Sequence, residues 1–166
     1  MKDMICNQNA LTGKEWRYGL RGSDATGCGW IATYNALRLM GCYAQPEELI
    51  RYYTCQLPLI HGNLGTTLPA PAIFFRQQGF GVRVSLRPGE FDALAGDADA
   101  CILFYRWRRG VRLGAHFVAL HSTGTGFEGY NTYRNSTGAD SYGVSLRDFL
   151  KRKGYFGAVL IALNRK

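Results

Sequence analysis

Residues 27–40 read GCGWIATYNALRLM, and this stretch decides the N-terminal half of the fold. Apolar side chains recur at helical spacing at Ile31, Tyr34, Leu37 and Met40. Thr26 or Asp24 is placed to cap the start, and Gly41 suits the left-handed residue that ends a helix. The pattern predicts a helix over 28–40 with its apolar stripe in the core. A second helix is expected over 46–54, with Pro46 in its first turn and Glu47 and Glu48 favouring the dipole. A third is expected over 69–78, stopped by Gly79. Upstream, residues 1–27 are polar and turn-rich, with a short strand near 16–20.

Beyond residue 80 the period changes. Residues 82–86, 100–107, 115–122, 126–132 and 156–163 read as strands separated by glycine-rich turns. Residues 88–94 read as a short helix, and 145–153 as a helix with a serine cap. Helices first and strands later, joined by short turns, predict an α+β fold with a mostly antiparallel sheet.

Composition bounds the rest. The chain has 166 residues, 46% hydrophobic and 19% charged, which suits one domain over 1–166 and needs no disulfide or metal staple. There is no repeat and no linker-like segment. No apolar run reaches signal-peptide or transmembrane length, so a cytoplasmic protein without a membrane span is expected. The 21 glycines show no triplet period. Five cysteines, an odd number with no CxxC pair, argue against a disulfide framework and a zinc ribbon. No metal or cofactor is expected. A net charge of +8 favours acidic partners.

Cys28 sits at the predicted helix start. Unpaired N–H groups and the positive dipole end there favour a thiolate, the form in which a cysteine acts as a nucleophile. The flanking Gly27 and Gly29 leave space for a substrate carbonyl. The competing reading is a core cysteine; Cys6, Cys42, Cys55 and Cys101 are read as packing residues. A thiol nucleophile needs an imidazole. His61 lies in a loop. His116 and His121 share one strand, with His116, Val118 and Leu120 on one face and Phe117, Ala119 and His121 on the other. Gly114 and Ala115 leave room around His116. Asn131, in the next strand, is placed to accept the other imidazole N–H. Asn135 and Asp140, in a polar loop, compete less well for that place.

GCGWIATYNAL, GAHFVAL and GYNTY, in that order, resemble the three motifs of the papain-like cysteine peptidase superfamily. The shorter bacterial branch is the closer likeness, especially peptidases that cut leader peptides after a double glycine, and their relatives. The resemblance implies Cys28 as nucleophile, His116 as general base and acid, and Asn131 as the group that orients the imidazole. It also implies a papain-like fold and a peptide or protein substrate. Three features depart from the family. The Cys28-to-His116 gap is shorter than the ~130–150 residues of papain and cathepsins. No glutamine lies just before Cys28, leaving Arg21, Tyr18 and the more distant Gln8 as oxyanion-hole candidates. Leader-processing relatives generally carry an aspartate where Asn131 stands.

Arg106, Arg108, Arg109 and Arg112 surround Tyr105 and Trp107 in a predicted hairpin. They are candidate substrate or anion contacts, against the plainer reading of a solvated hairpin tip. Nucleic-acid binding through them is the less favoured partner. The leading expectation is a thiol hydrolase cleaving peptide bonds. Acyl transfer or deamidation on the same fold, a noncatalytic binding module, and a nucleic-acid-associated protein are the alternatives. No residue pattern sets an oligomeric state.

Overall fold

The computed structural model describes residues 4–55 and 65–166. A two-residue hairpin, β1 (Arg17–Tyr18) and β2 (Arg21–Gly22), leads into α1 (Ser23–Thr26) and α2 (Cys28–Leu39). Helices α3 (Pro46–Cys55) and α4 (Ala70–Gln77) follow. The C-terminal half contains β3 (Gly81–Ser85), α5 (Phe91–Gly96), β4 (Ala100–Arg109), β5 (Arg112–Ser122), β6 (Phe127–Tyr130), β7 (Asp140–Gly143), α6 (Leu146–Lys153) and β8 (Tyr155–Asn164). The strands form one six-stranded sheet in the order β3-β8-β4-β5-β6-β7. Every neighbouring pair is antiparallel. The expected α+β arrangement is therefore present.

The sheet is covered on both faces. Ile102, Phe117, Ala119 and Ile161 pack with α2, α3 and α4 in one apolar cluster. Leu103, Tyr105, Val118, Leu120 and Leu160 pack with α5 and α6 in a second cluster. Double burial explains why β4 and β8 read as continuous apolar runs instead of alternating ones. Gly110, at φ 57°, begins the two-residue turn between β4 and β5, where a left-handed backbone is needed.

Helix α2 departs from the expected single stripe, because nearly all of it is buried. Even Asn35 and Thr33 are inaccessible, and both are satisfied. Asn35 holds the backbone of Ile5 from both ends, accepting from its N–H and donating to its C=O, each at 2.9 Å. Thr33 donates to Gly29 O at 3.1 Å and shares a hydrogen bond with Tyr53. The expected side-chain cap is also absent. Asp24 and Thr26 are consumed in α1, and Gly27 becomes the N-cap of α2 without a side-chain hydrogen bond. The other end follows expectation. Gly41, at φ 71°, lets Cys42 N–H reach Leu37 O at 2.8 Å.

Two strands were not anticipated. β2 is two residues long, and β7 comes from a polar stretch. In β7 only Tyr142 is buried, and it stacks on Phe149 of α6 at 3.9 Å. One aromatic anchor holds this edge strand, too little signal for an alternation pattern. Among the described residues no helix is long and apolar enough to cross a membrane.

Candidate active site

Cys28 is the first residue of α2. The N–H groups of Phe117, Cys28 and Gly29 address its sulfur and favour the thiolate, but burial is the larger effect and pushes the thiol up. Burial thus opposes the easily ionised thiolate expected at a helix start, although Cys28 itself is only half-buried. The flanking glycines also serve another purpose than expected. A Cβ on Gly29 would collide with Thr66, and one on Gly27 would lie 2.6 Å from Ser23 O and 2.7 Å from Trp30 Nε1. Both glycines let protein, rather than substrate, approach. The open side of Cys28 is a hollow of about 360 Å³ bordered by Arg21, Thr66, Leu68, Phe104 and Phe117.

His116 borders a second hollow of about 690 Å³. Its Nε2 lies 2.6 Å from the backbone carbonyl of Asn131. A carbonyl can only accept, so Nε2 carries the proton and Nδ1 carries the lone pair in the neutral ring. Among the described residues Nδ1 makes no hydrogen bond. Burial lowers the affinity of His116 for a proton, the Asn131 carbonyl raises it, and nearby Lys153 lowers it again. Tyr105 packs edge-on to the ring, with centroids 6.3 Å apart.

Asn131 reaches His116 through its main chain, whereas its side chain faces Gln8. Asn131 Oδ1 accepts from Gln8 N–H at 2.8 Å, and Asn131 Nδ2 donates to Gln8 Oε1 at 3.1 Å. Gln8 Nε2 donates to Asp24 O at 3.0 Å, which fixes the orientation of both amides. Asn131 has φ 63°, a left-handed conformation that asparagine tolerates better than most residues. That backbone turn aims its carbonyl at the imidazole.

Cys28 and His116 lie on adjoining sides of β5. The sulfur meets Phe117 N–H, one residue from His116, on the α2 face. The imidazole lies beside Tyr105, which belongs to the opposite face. Their hollows share Ala25 and Ala115. Among the described residues no hydrogen bond joins the sulfur to the imidazole. β6 pairs with β5 only over residues 119–122, so the strand edge between the two groups is free of a neighbouring strand.

The oxyanion candidates separate. Arg21 borders the Cys28 hollow. Tyr18 is fully buried, with its hydroxyl 3.0 Å from Thr66 Oγ1 and its ionisation opposed mainly by burial and to a lesser degree by Cys28. Gln8 borders the His116 hollow and is engaged with Asn131 and Asp24. The hairpin arginines separate too. Only Arg109 borders the His116 hollow. Arg106 lies over the Phe156 ring at 4.7 Å, Arg108 Nε donates to Gly110 O at 3.0 Å, and Arg112 sits exposed at the turn. Trp107 fills the space expected beside His116, because it lies where a Cβ on Gly114 would be. Arg134 and Lys153, which also border the His116 hollow, lacked a local motif to reveal them.

Of the remaining candidates, Asp140 accepts from Ser136 Oγ at 2.6 Å, and Asn135 is exposed. His121 stacks on Tyr130 at 6.3 Å, and His61 lies outside the described residues. All five cysteines are free. Cys101 is buried, with its thiol pushed up to about 12 mainly by burial, and Cys6 and Cys42 are half-buried. Cys55 is exposed, so it is not the packing residue expected.

No family model and no curated protein matches this chain. In structure it matches the peptidase domain of Streptococcus ComA, a bi-functional ABC transporter involved in a quorum-sensing pathway. The TM-score is 0.52 at 14% identity, over 81% of this chain and 90% of that one. The chain has the fold of the ComA peptidase domain. That fold accounts for the N-terminal helices packed on a six-stranded antiparallel sheet. At 14% identity the likeness to the ComA domain speaks for the fold, and the roles of individual residues rest on their own geometry.

Proposed function

We propose that residues 1–166 form one thiol peptidase domain in which Cys28 is the nucleophile and His116 the general base and acid. The observation that carries this reading is the polarity imposed on His116: its Nε2–H is held by the Asn131 carbonyl, leaving a basic Nδ1 on the strand whose next amide addresses the Cys28 sulfur. The ComA-like fold supports it.

The resting pair is thiol and neutral imidazole, since burial disfavours both charged forms. His116 Nδ1 therefore takes the thiol proton as the sulfur attacks the peptide carbonyl, in the manner of a base-activated nucleophile. The carbonyl oxygen gains the negative charge, and Arg21, which borders the Cys28 hollow, is the side chain assigned to stabilise it. The tetrahedral adduct collapses as His116 passes the proton to the departing amine, leaving a thioester on Cys28. Water then attacks the thioester, giving one proton to His116 and releasing the acid. The proton on His116 returns to the sulfur. Asn131 acts as a positioning residue through its carbonyl.

The test is hydrolysis of a fluorogenic peptide library by the purified chain, with mass spectrometry of the trapped thioester. Activity lost in both Cys28→Ala and His116→Ala, with an acyl adduct mapped to Cys28, is the expected result. Full activity in Cys28→Ala would end the proposal.

A further inference from the structure

The hollow beside His116 is more basic than the reaction requires. Arg109 comes from the end of β4, Arg134 from the segment after β6, and Lys153 from the end of α6. Among the described residues none of the three forms an ion pair. Asp24 is the one carboxylate residue on the wall. Lys153 lies 3.6 Å above the Tyr133 ring, and Tyr133 and Trp107 line the same hollow. Arg109 and Lys153 repel one another: burial, then Arg109, brings the Lys153 amine down to about 8. Asp24 on the wall and Asp140, which acts favourably on Lys153, offset only part of this charge, so an incoming anion relieves the repulsion that remains.

The proposed chemistry sets which part of a substrate enters. His116 must deliver a proton to the departing amine, so the chain on the amine side of the cleaved bond lies in the His116 hollow. The acyl side then lies toward the smaller Cys28 hollow with Leu68, Phe104 and Phe117.

We propose that Arg109, Arg134 and Lys153 form a carboxylate subsite for the leaving-group side of the substrate, so that the domain cleaves peptides ahead of acidic residues. The carboxylate belongs either to an Asp or Glu side chain or to the free C-terminus of a short leaving segment. The subsite rests on the peptidase reading for its orientation, but its binding chemistry is separable from it. A peptide is favoured over a nucleic acid because the cations converge on a concave hollow beside the proton donor, while Arg106, Arg108 and Arg112 of the hairpin lie outside it.

The experiment uses the full chain. Peptide pairs differing only by Asp or Glu against Asn or Gln after the cleaved bond, each with a free or amidated C-terminus, are compared by kcat/KM. The same peptides are titrated by fluorescence anisotropy into Cys28→Ala, which binds without turnover. Acidic peptides are expected to be favoured by about tenfold at low salt, with the ratio falling toward one in R109Q/R134Q/K153Q and recovering in K153R relative to K153Q. Thermal melting verifies that the variants fold. A preference that follows side-chain charge, or one that follows the free C-terminus, identifies the source of the carboxylate, and either supports the subsite. Hydrolysis without acidic preference overturns the subsite and leaves the peptidase reading intact. Selective binding of acidic peptides to Cys28→Ala with no hydrolysis by wild type does the reverse. An oligonucleotide bound tighter than the acidic peptides at equal salt also overturns the proposal.

Discussion

His116 is oriented by the main chain of Asn131: Nε2 donates to the Asn131 carbonyl at 2.6 Å, while the Asn131 amide is turned away onto Gln8. A sequence motif specifies a side chain, yet the group in contact here is one that every residue carries. What asparagine supplies is a backbone at φ 63° and a double hydrogen bond that keeps it there.

This separates Asn131→Gly from Asn131→Ala. Glycine keeps the left-handed conformation without steric penalty and keeps the carbonyl. Alanine strains it by about 1–2 kcal/mol. Asn131→Gly should retain at least severalfold more kcat/KM than Asn131→Ala, measured on the same peptide. Equal loss in both would mean that the amide itself does the orienting.

Gln8 belongs to the same arrangement. Gln8→Ala removes the acceptor for Asn131 Nδ2 and the donor to Asp24 O, while the Gln8 N–H to Asn131 Oδ1 bond remains. The expected result is a fall of about 1–2 kcal/mol in unfolding free energy by urea titration. A drop in kcat larger than any rise in KM should accompany it, since the Gln8 side chain is engaged with Asn131 and Asp24 and acts through them. A rise in KM alone would point to substrate binding instead.

The ionisation of the pair sets a pH profile. Burial holds the folded His116 below the ordinary 6.5 and the Cys28 thiol above the ordinary 9.0. The neutral pair is competent, so kcat/KM should form a broad plateau with its acid limb below 6.5 and its alkaline limb above 9.0. Iodoacetamide should accordingly modify Cys28 at pH 7 more slowly than exposed Cys55, read by mass mapping. Fast alkylation of Cys28 at pH 6 would show a preformed thiolate–imidazolium pair.

Stability should follow the same histidine. The folded state holds fewer protons at His116 than the unfolded chain, so this contribution is complete above the unfolded value near 6.5 and is lost as pH falls through the folded one. Urea midpoints measured across pH 4.5–7.5 should show a decline on the acid side that is smaller in His116→Gln.

Gly29 offers a structural test. A methyl group there meets Thr66, whose hydroxyl is bonded to buried Tyr18. Gly29→Ala should destabilise by about 1–3 kcal/mol through overpacking, despite the better helix propensity of alanine. Calorimetry on the two proteins checks the sign.

Much of the fold was legible because long elements carry strong periods. The stripe at Ile31, Tyr34, Leu37 and Met40, the runs in β4 and β8, and the glycine stops at 41 and 79 each name their structure. Segments with one anchor were not legible: β7 depends on Tyr142, and β2 on pairing with β1. For the candidate site, the sequence singled out Cys28, His116 and Asn131, but it could not foresee that Asn131 would use its carbonyl. The basic hollow was hidden for a related reason. Arg109, Arg134 and Lys153 come from three elements, and only the folded sheet and α6 gather them. The crowding that opposes the Cys28 thiolate likewise comes from distant residues, not from its helix position.

The Gln8–Asn131 contact also bears on biosynthesis. It spans 123 positions, so it closes only after the strands up to residue 131 have been made and folded. A nascent chain displays Cys28 long before the carbonyl that steers His116 exists. Under the proposed mechanism, peptide cleavage therefore begins only once the N-terminal segment and the strands have locked together.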